Sequence, residues 1–462
     1  MGRAKLVNGR RRTLLAPAAI LLAPLLAAAL FLCSCQRKAG APERYNVLLI
    51  AVDTLRADRL GCYGYPQATS PRLDAFAGRS LFFEHAFCPI PKTSASFASM
   101  MTGLHPHVHK TKPNRGTLNE KYLTLAELLQ AEGYETAAVV DNANLSSFFK
   151  FNQGFWSYTE VWNEVEDKSG STPFITARVL DFLAAPRQRP FFMWVNYIEP
   201  HTPYIPPAEF VREHPPGRDL RTLEHYVLPK RVRSEIEENQ EFHEGYYTAR
   251  YDGAVRFVDA EIGRIIDAVF ARGLDKNTVV IVTADHGEDL GERNYFFDHG
   301  ALTFTAGARV PLLAHVPGRK PKRVTTPVSI MDIYPTVLEL LGKEPPYPLQ
   351  GISLFAPRPD RLLHIVGIGS HAVVRNGQHY VSVSPKLSKR LRLAPEHFYD
   401  HFADPLETRN IYSRHAADAR ALNAQYDAFI RQFGDIFRAP DDQAKRQLTE
   451  KERKSLETLG YL

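Results

Sequence analysis

TVVIVTADHGE, residues Thr278–Glu288, is the stretch whose reading decides the fold. Its first six residues are apolar or β-branched with no alternation, which is how a strand buried on both faces reads. The run then delivers Asp285 and His286, followed by Gly287. In open α/β sheets, ligand-binding residues gather where parallel strands end. A second run has the same form: YNVLLIAV, Tyr45–Val52, leads directly into Asp53. FFMWVN, Phe191–Asn196, is a third and leads toward His201.

Helical signals separate these runs. Ser70-Pro71 has the N-cap and N1 pattern of a helix start, with Leu73 and Phe76 on one face. Thr124 caps LTLAELLQAEGY, which should stop at Gly133 before a strand over Thr136–Val140. Val255, Val258, Ile262, Ile265, Ile266 and Val269 recur at helical spacing between Tyr251 and Phe270. Strands alternating with helices predict a doubly wound, mostly parallel α/β sheet. Residues 206–244, polar and Pro-rich at their start, read as a surface excursion. From Arg361 to Ser384 the texture changes to short strands, with Asn376-Gly377 as a hairpin turn. That predicts a small antiparallel C-terminal subdomain over 356–462, closed by charged helices from about Ala416, after a main domain over 45–355.

The chain has 462 residues, 44% hydrophobic, with a formal charge of +6. Five of those charges, Arg3, Lys5, Arg10, Arg11 and Arg12, fall in residues 1–34, which contain no acid. The remainder is nearly neutral, which argues against a nucleic-acid partner. A basic head followed by an uncharged Leu- and Ala-rich stretch from Thr13 to Ser34 reads as an export signal. It ends Leu32-Cys33-Ser34-Cys35, which is similar to the bacterial lipobox. On that reading residues 1–35 are a signal peptide ending at Cys35, the lipidated residue, and 36–44 a tether. The alternative is an uncleaved anchor, since about 20 apolar residues span a bilayer. Either places the catalytic domain at the bacterial cell envelope, outside the cytoplasm and membrane-anchored. Cys62 and Cys88, the cysteines of the body, read as two thiols rather than a disulfide framework.

An ordered series of motifs resembles the sulfatase family of the alkaline phosphatase superfamily. VDTLRADRLGCYG (52–64), TSPRLDAFAGRSLFFEHAF (69–87) and TSASFASMMTGLHPHVH (93–109) are similar to its N-terminal block. FFMWVNYIEPHTPYIPP (191–207), YDGAVRFVDAEIGRIIDAV (251–269), VVIVTADHGE (279–288) and ARVPLLAHVPG (308–318) are similar to its middle. VSIMDIYPTVLELLG (328–342), GISLF (351–355) and FYDHFADPLETRNIY (398–412) are similar to its end. The set covers nearly the whole chain beyond the leader, and its order makes it specific. It implies an alkaline phosphatase-like fold and a metal-dependent hydrolase of sulfate or phosphate esters.

The family's nucleophile is a cysteine converted to formylglycine, opening a Cys-x-Pro-x-Arg motif. Counting back from Thr102-Gly103 puts Thr93 at that position, Ala95 at the proline, Ser96 at the serine and Phe97 at the arginine. Threonine cannot become formylglycine, so the resemblance implies a hydroxyl nucleophile in place of an aldehyde hydrate. Thr93 is also placed to cap the helix beginning there. Asp53 matches the family's first metal carboxylate and Asp285 another. Thr54 falls where many members have a second aspartate, and His286 where many have asparagine. A metal set of Asp53, Thr93, Asp285 and His286 suits zinc or manganese better than calcium, with zinc favoured, and resembles that of phosphoethanolamine transferases. His201 and His299 match positions that contact the ester oxygens, which implies anion binding and leaving-group protonation. Lys92 and Asn142 are candidates for substrate contact, with Asn144, His107 and His109 weaker ones. The expected partner is a small-molecule, glycan or lipid ester. A phosphoryl transferase, and a scaffold that has lost catalysis, are the alternatives.

Overall fold

The computed structural model describes residues 1–2, 44–166, 168–211, four positions between 222 and 228, 230–438 and 448–458. The signal-peptide reading, Cys35 and the tether therefore lie outside the described residues, apart from Arg44. From Arg44 onward the chain forms one compact unit. No helix among the described residues is long and apolar enough to cross a membrane.

The chain builds an eight-stranded sheet from Asn46–Val52 (β1), Leu81–Phe83 (β2), Glu135–Val140 (β3), Ser157–Glu160 (β4), Phe191–Tyr197 (β5), Thr278–Ala284 (β6), Leu312–His315 (β7) and Lys322–Val324 (β8). Their spatial order is β8-β2-β7-β6-β1-β5-β3-β4. β1 lies at its heart, parallel to β5 on one side and β6 on the other. Every residue of β1, β5 and β6 is buried, which is why their sequences run apolar without alternation. β7 is antiparallel to both of its neighbours.

Two groups of helices pack on this sheet. Glu244–Ala271 (α5) contacts both Pro71–Ala77 (α1) and Lys168–Ala184 (α4), and Thr93–Thr102 (α2) contacts both Leu125–Ala131 (α3) and Ile333–Leu340 (α6). Thr124 forms a full capping box with Glu127 at the start of α3, as its sequence predicts. Ser70 precedes α1 without capping it: its hydroxyl donates to Asp74 and accepts from the Gly61 amide. α5 begins seven residues before the predicted start, and residues 230–239 of the excursion are helical.

A four-stranded antiparallel sheet follows, made of Leu363–Val366 (β9), Ser370–Arg375 (β10), Gln378–Val383 (β11) and Glu396–Asp400 (β12). Asn376 and Gly377, both at positive φ, form the predicted hairpin between β10 and β11. Ala416–Phe433 (α7) packs on it through Ala419, Leu422 and Tyr426. The fold is the expected α/β architecture with its antiparallel C-terminal sheet. Cys62 and Cys88 are free thiols, both with pKa values raised by burial.

Candidate active site

β1 and β6 run in register as parallel neighbours, Val52 beside Ala284, so the residues that follow them emerge together. Asp53 and Asp285 are both fully buried. Oδ1 of Asp285 accepts from its neighbour's amide, His286 N, at 2.8 Å and from Thr54 N at 3.3 Å. Thr54 adopts φ of 55°, a strained conformation for a β-branched residue. Tyr251 of α5 holds the turn by donating to Thr54 O at 2.7 Å and accepting from Arg56 N at 3.0 Å.

The His286 ring has its tautomer fixed. Nδ1 lies 2.9 Å from Gly287 O, and since a carbonyl only accepts, Nδ1 carries the proton and Nε2 the lone pair. Burial drives the His286 pKa down to about 3, which keeps the ring neutral. Nε2 faces Thr93 Oγ1 at 3.3 Å, Asp285 Oδ2 at 3.3 Å and Asp53 Oδ1 at 4.0 Å. Thr93 is the first residue of α2, and Lys92 rather than Thr93 occupies the N-cap position. The expected capping role is thus absent: at N1 the hydroxyl projects to His286, while the helix end still offers backbone N–H groups to an anion.

The residues that follow Thr93 in α2 pack and brace the site. Phe97 is completely buried and its ring lies 5.2 Å from that of Trp194 on β5. Ala95 packs with Ile90, Val366 and Ile436. Ser96 donates to Asp285 O at 2.6 Å and so ties α2 to the end of β6.

Two further imidazoles complete the cluster. The rings of His286 and His299 lie 4.3 Å apart, and those of His299 and His201 5.2 Å apart. His201 Nδ1 is bound to Thr202 O at 2.6 Å, and His299 Nδ1 to Glu288 Oε1 at 3.2 Å. Both anchors leave Nε2 as the working nitrogen. Lys92 is buried, and its aliphatic stem passes where a side chain at position 300 would sit, which is why a glycine follows His299. Asn142, expected at the substrate, is instead engaged with protein: Nδ2 donates to Asp53 Oδ2 at 2.6 Å, and Oδ1 accepts from Asn144. Asn144 is a loop brace that accepts from Arg115 N. His107 and His109 lie outside this cluster. His109 bonds Ser99 and Thr111 N, and His107 bonds Tyr426 and Ile436 N.

Glu288 and Tyr251 were missed in the sequence reading. Glu288 had a signal, since it closes the TADHGE run. Tyr251 had none beyond its place in a helical stripe.

Asp53, Asp285 and His286 bring one ligand atom each to within 4.8 Å of one another, and all three are buried. Two facing buried carboxylates repel, and burial together with Asp53 raises the Asp285 pKa well above the usual carboxylate range. Asp285 Oδ2 and Thr54 Oγ1 have no hydrogen-bond partner among the described residues. Buried oxygens of this kind, beside an imidazole lone pair, fit a divalent cation.

The Sulfatase family model matches residues 45–343. The chain belongs to the sulfatase family. The ulvan-active sulfatase of Formosa agariphila is 26% identical over 444 residues, covering 88% of this chain and 84% of that protein. Among solved structures, the phosphonate monoester hydrolase of Agrobacterium radiobacter superposes with a TM-score of 0.66 at 20% identity, covering 84% of this chain and 96% of that one. A structure solved with its substrate D-glucosamine-2-N,6-O-disulfate superposes with a TM-score of 0.68 at 20% identity, covering 87% of this chain and 100% of the other. The sulfatase-family chain described here carries these likenesses on one fold.

Proposed function

We propose that this protein hydrolyses sulfate or phosphate esters with Thr93 as nucleophile, and that zinc is the cation held by Asp53, Asp285, His286 and Thr93. The observation that carries the reading is Thr93 Oγ1, 3.3 Å from His286 Nε2 at the first turn of α2, beside two buried carboxylates. A bound divalent cation would supply Lewis acidity, favouring ionisation of the hydroxyl and offsetting the carboxylate charge. The chain's own residues do the rest. Thr93 Oγ1 attacks the phosphorus or sulfur, and the N–H groups at the α2 terminus and Lys92 stabilise the oxygens as charge builds. His201 or His299, each oriented through Nδ1, takes the Thr93 proton at Nε2 and passes it to the departing ester oxygen. Water then displaces Thr93 from the esterified intermediate and restores the hydroxyl.

Sulfated sugars named for the relatives make a glycan ester a natural substrate class. Threonine shifts the preference, however. A sulfated threonine lacks the elimination route that an aldehyde hydrate supplies, whereas a phosphorylated threonine is open to a second in-line attack. Phosphate mono- or diesters should therefore turn over faster than the aryl sulfate with the same leaving group, compared by kcat/KM. A better rate on the sulfate, with metal loaded and Thr93 unmodified, would overturn the phosphoryl preference. Thr93→Ala tests the nucleophile itself: full activity in that variant would remove it from the mechanism. We also propose export and lipid anchoring through Cys35. Mass spectrometry of the mature N-terminal peptide should find a diacylglyceryl-modified Cys35, and an intact Met1 would refute the anchor.

A further inference from the structure

A second buried constellation lies in the C-terminal sheet and shares no residue with the active site. The tight turn at Asn376-Gly377 starts β11 and places His379 on its second residue. β12 pairs with β11 so that His401, just past its end, donates its backbone N–H to Gly377 O at 2.6 Å. The loop after His401 then returns Glu407 to the same point. His379, His401 and Glu407 are buried, and one ligand atom from each lies within 4.8 Å of the others.

The hydrogen bonds around them are incomplete in one direction only. Glu407 Oε2 is satisfied by Arg293 and by Thr305 N, both at 3.0 Å. Glu407 Oε1 is ion-paired with His379 Nδ1. Among the described residues His379 Nε2 and His401 Nδ1 have no hydrogen-bond partner. His401 Nε2 does: it meets His85 Nδ1 at 3.0 Å. Phe87 closes one side, its ring 5.2 Å from that of His401 and 5.9 Å from that of His379. Completely buried imidazole nitrogens without partners are costly, and here they surround a carboxylate oxygen whose other half is already bonded.

We propose that His379, His401 and Glu407 bind a zinc ion that fastens the C-terminal sheet to the main body of the protein. Two imidazoles and a carboxylate are a zinc donor set. The outer partners are already present: His85 orients His401 through Nε2, while Arg293 and Thr305 N fix Glu407. A fourth ligand has access, because His85 and Glu407 both line a cavity of about 840 Å³. His85 lies between β2 and the short strand Ala86–Phe87, so the clasp reaches the main body from the far end of the chain.

The test uses the full chain with Asp53→Asn and Asp285→Asn together, which removes the active-site carboxylates and leaves this cluster intact. Stripped of metal and dialysed against zinc, that variant should retain about one equivalent by elemental analysis. X-ray absorption at the zinc edge should then find two imidazole ligands. Adding His379→Gln should abolish the bound zinc. No zinc in the doubly substituted chain, or zinc with fewer than two imidazoles, would overturn the proposal and leave a plain His379–Glu407 ion pair. Adding His286→Gln and His299→Gln to the doubly substituted chain breaks up the active-site imidazoles, so an unchanged two-imidazole count there decides the matter even if the His379→Gln variant does not fold. Loss of the active-site metal reading would not affect this outcome.

Discussion

The two clusters of buried acids and imidazoles handle charge in opposite ways. At the active site, Asp285 is held by backbone N–H groups while facing a second carboxylate, Asp53. The nearest guanidinium along the chain, Arg56, is turned away onto Asp58, Glu292 and Glu288 O. In the C-terminal sheet Arg293 rests directly on Glu407, whose pKa is pulled down to about 2, against its burial, chiefly by His379 and then by Arg293. The first arrangement stores repulsion that a cation relieves. The second is balanced in charge before anything binds.

The largest effects should fall on turnover at the strained cluster. Thr93→Ala and Asp285→Asn should each lower kcat/KM by roughly three orders of magnitude or more, with circular dichroism unchanged. A loss of only a few-fold in either would break the assignment of this cluster to catalysis. At the balanced cluster the expected effect is on stability. Arg293→Leu leaves Glu407 buried beside His379 without its guanidinium, which should cost about 2–4 kcal/mol by denaturant titration. An unchanged midpoint would mean that Arg293 and Glu407 are not coupled as their 3.0 Å contact implies.

Asp285→Asn also sharpens the contrast, because it should stabilise the metal-stripped protein. The asparagine Oδ1 keeps the bonds from His286 N and Thr54 N, while its amide can donate to His286 Nε2, now 3.3 Å from Oδ2. Removing one of two repelling buried charges should add about 1–3 kcal/mol. Glu407→Gln in the same assay should go the other way. If both variants shift the melting temperature in the same direction, the two clusters do not differ as described.

The active-site half of this comparison was legible in the sequence because its residues follow continuous apolar runs. β1, β5 and β6 are buried on both faces, so their ends, and with them Asp53, His201 and Asp285, are marked by a change of texture. Thr93 needed the count-back from Thr102-Gly103, since nothing local distinguishes it from a helix cap. Asn142 holds Asp53, because a polar residue after a strand can serve a carboxylate as well as a substrate. The second cluster gave no such signal. His379 sits inside an alternating strand, His401 and Glu407 lie in a turn-rich loop, and their meeting depends on the β11–β12 register. The hairpin itself was readable from Asn376-Gly377, but the pairing that follows it is a tertiary fact.

The smallest effect tests the brace that turns Arg56 away from the active site. Asp58 takes two bonds from Arg56, Oδ1 from Nε at 2.9 Å and Oδ2 from an outer nitrogen at 2.7 Å. Burial alone would raise the Asp58 pKa, but the charge and hydrogen bonds of Arg56 outweigh it and hold the carboxyl well below its usual range. A carboxylate with a depressed folded pKa contributes stability that is complete above its unfolded value, about 4, and is lost as pH falls below it. Asp58→Asn should therefore cost about 1–2 kcal/mol near neutral pH, a modest loss because Arg56 keeps Glu292 and Glu288 O. The gap between wild type and variant should stay constant above about pH 5 and close progressively below about pH 4. A gap that persists undiminished at about pH 2.5 would assign the loss to packing rather than to the ion pair.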